Sequence, residues 1–183
     1  YSIGYLCSLP VACLVLVWAV IVVPGIIWQF TQVDESLFVR AAFRYLGEPY
    51  LDPGWYGAPA STLFNLLAPA YALYYLLQNV LGVAQNPWSS LSQNLTDFLL
   101  IGRFITALSA LGLSLVFYAF CRNSQSHTSA LFASLVVLVF PGNVQYAQII
   151  RMDLLLLLFL ICTFYFCTLA LEGGKVKYFM LAG

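Results

Sequence analysis

The fold class that this sequence predicts is an all-α protein with several transmembrane helices. Hydrophobic residues make up 62% of the chain, whereas soluble domains contain roughly 45–50%. Charged residues make up only 8%, and long stretches of the chain carry none. Several of those stretches reach the length of about 20 apolar residues that an α-helix needs to cross a bilayer. Together these observations predict a polytopic helical membrane protein.

Apolar stretches of this length predict about four complete spans. They lie at about residues 7–28, 98–120, 128–150 and 154–171. The first ends near Pro24-Gly25, and the third contains Pro141-Gly142, which is expected to break or bend its helix. Glu172 and the glycines after it are a typical stop for the last span. A further apolar run begins at residue 178. We therefore expect one transmembrane module over residues 1–183, incomplete at both ends, with the start of a fifth span.

The second span has two distinctive features. Its one charge, Arg103, lies near the end of the span, where a long side chain is expected to reach the interface. Small residues recur every four positions along one face, at Gly102, Thr106, Ala110 and Ser114. Such a stripe allows another helix to approach closely.

The long first loop, residues 31–97, has three parts. They are a short amphipathic helix at 35–46, a loop rich in proline and glycine at 47–59, and an uncharged apolar segment at 60–83. The first carries Leu37, Phe38, Ala41, Ala42 and Tyr45 on one face. The third part is long enough to span, but it contains several polar residues and a proline. The residues leave open whether it crosses the membrane, lies along the interface or dips into the bilayer.

Two acidic patterns border the apolar stretches. Asp34-Glu35 follows the first span, and Arg151-Met152-Asp153 precedes the last complete one. Ionisable groups at membrane depth are expensive and usually functional. If residues 60–83 do not cross, the two patterns lie on the same side of the membrane and form one acidic site. If those residues cross, the patterns lie on opposite sides.

In this order, the motifs resemble the N-terminal part of a GT-C superfamily membrane glycosyltransferase. The similarity is greatest to the branch of protein O-mannosyltransferases and aminoarabinose transferases. It is carried by Asp34-Glu35, by Glu48-Pro49-Tyr50 and Trp55-Tyr56-Gly57 in the loop, by Gly102-Arg103-Phe104 and Tyr118-Ala119-Phe120-Cys121-Arg122 in the second span, and by Arg151-Met152-Asp153. The resemblance implies that residues 60–83 form a juxtamembrane helix that does not cross, within an extracytoplasmic first loop.

The resemblance also implies an activity. The expected enzyme transfers a sugar from a polyprenyl-phosphate donor to an acceptor on the extracytoplasmic face of a bacterial cytoplasmic membrane or its equivalent. By resemblance, Asp34 is the catalytic base or lies at the acceptor and metal site, and Asp153 is its helper. We also expect Arg151 to be an electrostatic partner, paired with Asp153 or with lipid phosphate. The two carboxylates would hold a divalent metal ion, because such ions prefer oxygen ligands. The alternative for both aspartates is that each caps the helix beside it.

Substrate-binding roles are expected for Glu35, Arg40, Arg44 and Tyr50. Arginine suits a donor phosphate, and tyrosine can stack on a sugar. Each has a plainer alternative. Glu35 would be a first-turn residue favourable to the helix dipole, the arginines would form the solvated face of an amphipathic helix, and Tyr50 would belong to the interfacial aromatic belt.

Other functional classes are less consistent with the sequence. The formal net charge is zero, and there is no basic patch for nucleic acid. A transporter would place polar groups at the midplane of broken helices, whereas the charges here cluster at span ends. The alternative to an enzyme is a truncated transferase-like protein that acts as a structural subunit, packed against other membrane subunits through the small-residue stripe.

Overall fold

The computed structural model describes residues 9–28, 33–47, 61–83, 91, 94–173 and 176–182. Within these residues every regular element is an α-helix, as predicted. We number the helices α1 (Leu9–Ile21), α2 (Val23–Trp28), α3 (Val33–Gly47), α4 (Ser61–Val80), α5 (Leu95–Arg122), α6 (His127–Val139), α7 (Pro141–Ala147), α8 (Asp153–Gly173) and α9 (Val176–Ala182).

Three helical stretches among the described residues are long and apolar enough to cross a membrane. They are Leu9–Trp28, Leu95–Arg122 and Asp153–Gly173. The expected third span is a bent pair, because α6 and α7 meet at an angle of 60°. The break falls at Pro141, the first residue of α7, as its missing N–H and rigid ring predict. The count is therefore three spans, or up to four if the bent pair is one span.

Helix α5 is the centre of the bundle and packs against most of the other helices. The indole Nε1–H of Trp18 donates to the carbonyl of Ala107 at 2.8 Å and joins α1 to α5. A Cβ added at Gly112 would lie 3.3 Å from Leu158 Cδ2, so the middle of α5 also packs closely on α8. Small residues on one face of α5 make these approaches possible.

The small-residue stripe of α5 faces the interior of this chain. Gly102, Thr106, Ala110 and Ser114 are all buried within it. The stripe therefore contacts the chain's own helices, which corrects the expectation that it packs against a separate subunit. Both hydroxyls donate to carbonyls one turn earlier, Thr106 to Gly102 and Ser114 to Ala110, so neither is left unsatisfied in the apolar interior.

Helices α3 and α4 form a second layer over the start of α5. Phe38, Ala41 and Ala42 on α3 are buried, as the predicted amphipathic face requires, whereas Leu37 of that face is 42% exposed. Tyr45 also lies on α3, but its side chain is not described. On α4, Phe64 and Tyr71 are fully buried in the same cluster. Helix α4 is not among the described stretches that are long and apolar enough to span, and its juxtamembrane position stays a prediction.

Candidate functional site

Glu35 and Arg103 form a buried ion pair at one end of the helical bundle. Glu35 lies in the first turn of α3, and 1% of its surface is exposed. Arg103 Nε donates to Glu35 Oε1 at 2.8 Å, and Arg103 Nη2 donates to Oε2 at 2.7 Å. The two parallel bonds give the bidentate geometry that makes arginine–carboxylate pairs strong and directional.

Arg103 does not reach the interface, contrary to the expectation that it would snorkel. It is 3% exposed, and its third bond runs from Nη1 to the carbonyl of Ile26 at 3.0 Å. A buried cation is tolerated when its charge is paired and its donors are satisfied. The sequence does indicate that Arg103 is unusual, because a charge inside an apolar span is usually functional or paired. Its position in the sequence does not reveal that the partner is Glu35.

Glu35 also binds the segment that leads into α8. The backbone N–H of Ile150 donates to Glu35 Oε1 at 3.0 Å. One carboxylate thus joins the first turn of α3 to the third turn of α5 and to the connection before α8, while Arg103 also binds Ile26 of α2. Because these segments meet at Glu35, its neighbour Asp34 and the Arg151–Asp153 segment lie at the same end of the bundle.

Asp34 differs from its neighbour Glu35 in exposure. Its side chain is exposed in the first turn of α3, since consecutive helical residues point about 100° apart. Glu35 turns inward and Asp34 turns outward. The catalytic role expected for Asp34 stays a prediction, and an accessible carboxylate is what a base for a bound acceptor requires.

Arg151 and Asp153 form a second ion pair near that end. Arg151 Nε lies 3.1 Å from Asp153 Oδ2, and the two side chains are 39% and 40% exposed. The approach lacks the direction of a hydrogen bond, and Oδ2 has no hydrogen-bond partner within the described part of the chain. The guanidinium also lies 5.2 Å from the centroid of the Tyr146 ring, a distance typical of cation–π contact. The predicted roles of both residues stay predictions.

The other predicted binding residues have different positions. Arg40 and Arg44 are exposed on α3, and Tyr50 lies outside the described residues. Glu35 is in the predicted first turn, but its carboxylate is engaged by Arg103 and Ile150. Its expected contact with substrate stays a prediction that would require this ion pair to open.

Tyr71 of α4 packs beside the buried pair. Its side chain is fully buried, and its hydroxyl has no hydrogen-bond partner among the described residues. Burial raises the pKa of Tyr71, and the negative charge of Glu35 raises it further. A Cβ added at Gly102 would lie 2.7 Å from the Tyr71 hydroxyl and 2.5 Å from Ile150 Cδ1. Glycine is therefore required here for close approach of α4 and the pre-α8 segment to α5.

The described residues contain no group of three or more histidine, cysteine, aspartate or glutamate side chains that could hold a metal ion. Asp34 and Asp153 would supply two oxygen ligands. Mg²⁺ is often bound by one or two carboxylates together with substrate phosphates and water, so the expected metal stays a prediction.

The family profile of dolichyl-phosphate-mannose-protein mannosyltransferases matches residues 91–183. The match includes Arg103, Arg151 and Asp153, and the partner of Arg103 lies outside it, at Glu35. Searches of curated proteins and of solved structures found no significant match. The family and the apolar helices identify an integral membrane protein and confirm the resemblance to GT-C glycosyltransferases. This chain belongs to the dolichyl-phosphate-mannose-protein mannosyltransferase family.

Proposed function

We propose that this chain transfers a sugar from a polyprenyl-phosphate donor to an acceptor on the extracytoplasmic face of the membrane. Asp34 is the general base, Asp153 assists it, and Arg151 stabilises negative charge. The observation that carries the proposal is the hydrogen bond from Ile150 N to Glu35 Oε1 at 3.0 Å. It brings the segment beside Asp34 and the segment beside Asp153 to one end of the bundle.

The chemistry divides between the exposed groups at this end. Asp34 accepts the proton of the acceptor hydroxyl while the new bond forms between that oxygen and the anomeric carbon. The bond from the anomeric carbon to the donor phosphate breaks, and polyprenyl phosphate leaves. Developing charge on the leaving phosphate is stabilised by a nearby cation, and Arg151 is the candidate because its guanidinium is partly exposed.

The remaining groups have supporting roles in the proposal. Arg40 and Arg44, exposed on α3, bind the donor phosphate or lipid headgroups. Tyr50 contacts the sugar. A divalent ion held by Asp34 and Asp153 would neutralise phosphate charge when bound. The hydrogen bond from Ile150 to Glu35 keeps the segment that leads to Asp153 beside the start of α3, where Asp34 lies.

The test is transfer of labelled mannose from dolichyl-phosphate mannose, the donor in the family description, to protein in membrane vesicles. We expect Asp34→Asn in the full chain to lower the rate by about 10²–10⁴-fold, the usual contribution of general acid–base catalysis. Asp153→Asn should lower it as well. The matched control is Glu172→Gln, which removes an exposed carboxylate at the far end of α8 and should leave the rate unchanged.

Three outcomes would contradict the proposal. Wild-type transfer that persists at full rate in Asp34→Asn would exclude Asp34 as the base. Labelling of cysteines at positions 34 and 153 from opposite sides of the membrane, by an impermeant reagent, would exclude a shared site. Absence of transfer by the wild-type protein would instead favour the structural-subunit alternative.

A further inference from the structure

The buried ion pair lies between the two parts of the proposed site. Glu35 and Arg103 are 1% and 3% exposed, so they are less accessible to substrate than Asp34 or Arg151. Their bonds reach four separate segments of the chain. An arrangement of this kind fixes relative positions in space.

The link to Asp34 is through the helix. Glu35 is its direct neighbour in the first turn of α3. Hydrogen bonds from Arg103 Nε, Arg103 Nη2 and the N–H of Ile150 hold the Glu35 carboxylate. A side chain held in this way restricts rotation and translation of the turn to which Asp34 belongs.

The link to Arg151 is through the backbone. Residues 148–152 connect α7 to α8 without helical structure, so their position depends on tertiary contacts. Ile149 and Ile150 are buried, and the N–H of Ile150 is bound to Glu35. Arg151 follows immediately, and Asp153 begins α8.

We propose that Glu35 and Arg103 form a positioning pair that holds Asp34 at a set distance from Arg151 and Asp153. The inference rests on the proposed function, in which these three residues act on one substrate. A buried ion pair often contributes no more to stability than a well-packed apolar pair of similar volume. Its distinct contribution is direction, because bidentate bonds define the angle as well as the distance between two elements.

The test compares variants that keep the protein folded but remove the directional bonds. The main variant is the double substitution Glu35→Leu with Arg103→Met in the full chain, which removes both charges and keeps apolar packing. Glu35→Gln is the conservative variant, since its amide oxygen can still accept from Ile150. Tyr71→Phe is the matched control, because it removes a buried hydroxyl from the same packed layer. That hydroxyl has no hydrogen-bond partner among the described residues.

Two measurements are made on each variant. The first is the distance distribution between spin labels on Leu37→Cys of α3 and Leu156→Cys of α8, both exposed positions, in a background without the native cysteines. The second is kcat and KM for dolichyl-phosphate mannose. Thermal unfolding in detergent confirms that each variant is folded.

We expect the double variant to broaden the distance distribution and to lower kcat by about 10–100-fold, the effect of misplacing reacting groups by about 1 Å. Donor KM should change by less than about twofold, because ground-state binding groups are intact. Glu35→Gln should give an intermediate kcat, and Tyr71→Phe should match the wild type. If Glu35 and Arg103 only stabilised the fold, kcat would instead fall in proportion to the loss of thermal stability across these variants.

The positioning role is overturned if the folded double variant keeps both a narrow distribution and the wild-type kcat. That outcome can be observed only if the wild-type protein transfers mannose, so it can be told apart from failure of the proposed function. Failure of the proposed function is seen in the wild type itself, as absence of mannose transfer.

Discussion

Breaking the Glu35–Arg103 pair from one side should destabilise the protein more than removing both partners. Arg103→Met leaves a carboxylate that is 1% exposed and has lost both bonds from the guanidinium, while the bond from Ile150 remains. Glu35→Leu leaves a buried guanidinium that has lost its two bonds to the carboxylate, while its bond to the carbonyl of Ile26 remains. Uncompensated buried charges of this kind cost about 3–5 kcal/mol.

The double variant has no uncompensated charge. It loses the acceptor for the Ile150 N–H and the donor to the Ile26 carbonyl, and an unsatisfied buried group costs about 1–3 kcal/mol. Against this, apolar side chains at both positions remove the desolvation penalty of the ion pair. We therefore expect the double variant to lie closer to the wild type than either single variant, with a free energy of unfolding lower by about 1–3 kcal/mol.

The assay is equilibrium unfolding of the four proteins in mixed micelles, followed by tryptophan fluorescence and analysed as a double-mutant cycle. Arg151→Met is the matched control, because it breaks an arginine–aspartate pair whose side chains are 39% and 40% exposed. Exposed pairs of this kind contribute only about 0–1 kcal/mol. The reasoning is refuted if the two single substitutions are additive, or if each costs no more than Arg151→Met.

Two further predictions concern the same end of the bundle. Gly102→Ala should lower the free energy of unfolding by about 1–3 kcal/mol, because the new Cβ would lie 2.5 Å from buried Ile150. Equilibrium unfolding checks this, and Gly112→Ala should cost less, because its new Cβ would lie 3.3 Å from Leu158 Cδ2. Equal effects of the two alanines would contradict the close approach at Gly102. The hydrogen bond to Asp97, 2.5 Å long, raises the pKa of Tyr74 above 10.0, with burial as the next cause. This contribution to stability is complete below pH 10.0 and is lost as pH rises through the higher folded-state pKa. Asp97→Asn should therefore lower the pKa of Tyr74 in an ultraviolet difference titration against wild type, and an unchanged titration would argue against the bond.

Sequence patterns predicted the helices well where the signal is local. The apolar stretch ending near Trp28, the long α5, the bend at Pro141 and the stop after α8 all follow from hydropathy and from helix-breaking residues nearby in the chain. The amphipathic pattern of α3 correctly placed Phe38 and Ala42 on a buried face. Its error at Leu37 reflects the finite width of that face, which depends on how α4 and α5 pack against it.

The candidate site was predicted only in part. Asp34-Glu35 and Arg151-Asp153 are predicted site segments because charges are rare in this chain, and the structure brings both segments to one end of the bundle. The sequence could not separate Asp34 from Glu35. Their difference in exposure depends on which side of the first turn of α3 faces Arg103.

By itself the sequence determined that this is a helical membrane protein of the GT-C kind, because hydropathy, proline and motif order are properties of consecutive residues. Only the tertiary structure decided that Arg103 is an internal partner of Glu35, 68 residues away in the chain, rather than a side chain at the interface. The physical reason is that a buried charge requires a partner, whereas nothing local specifies which distant residue helix packing will bring within 3 Å.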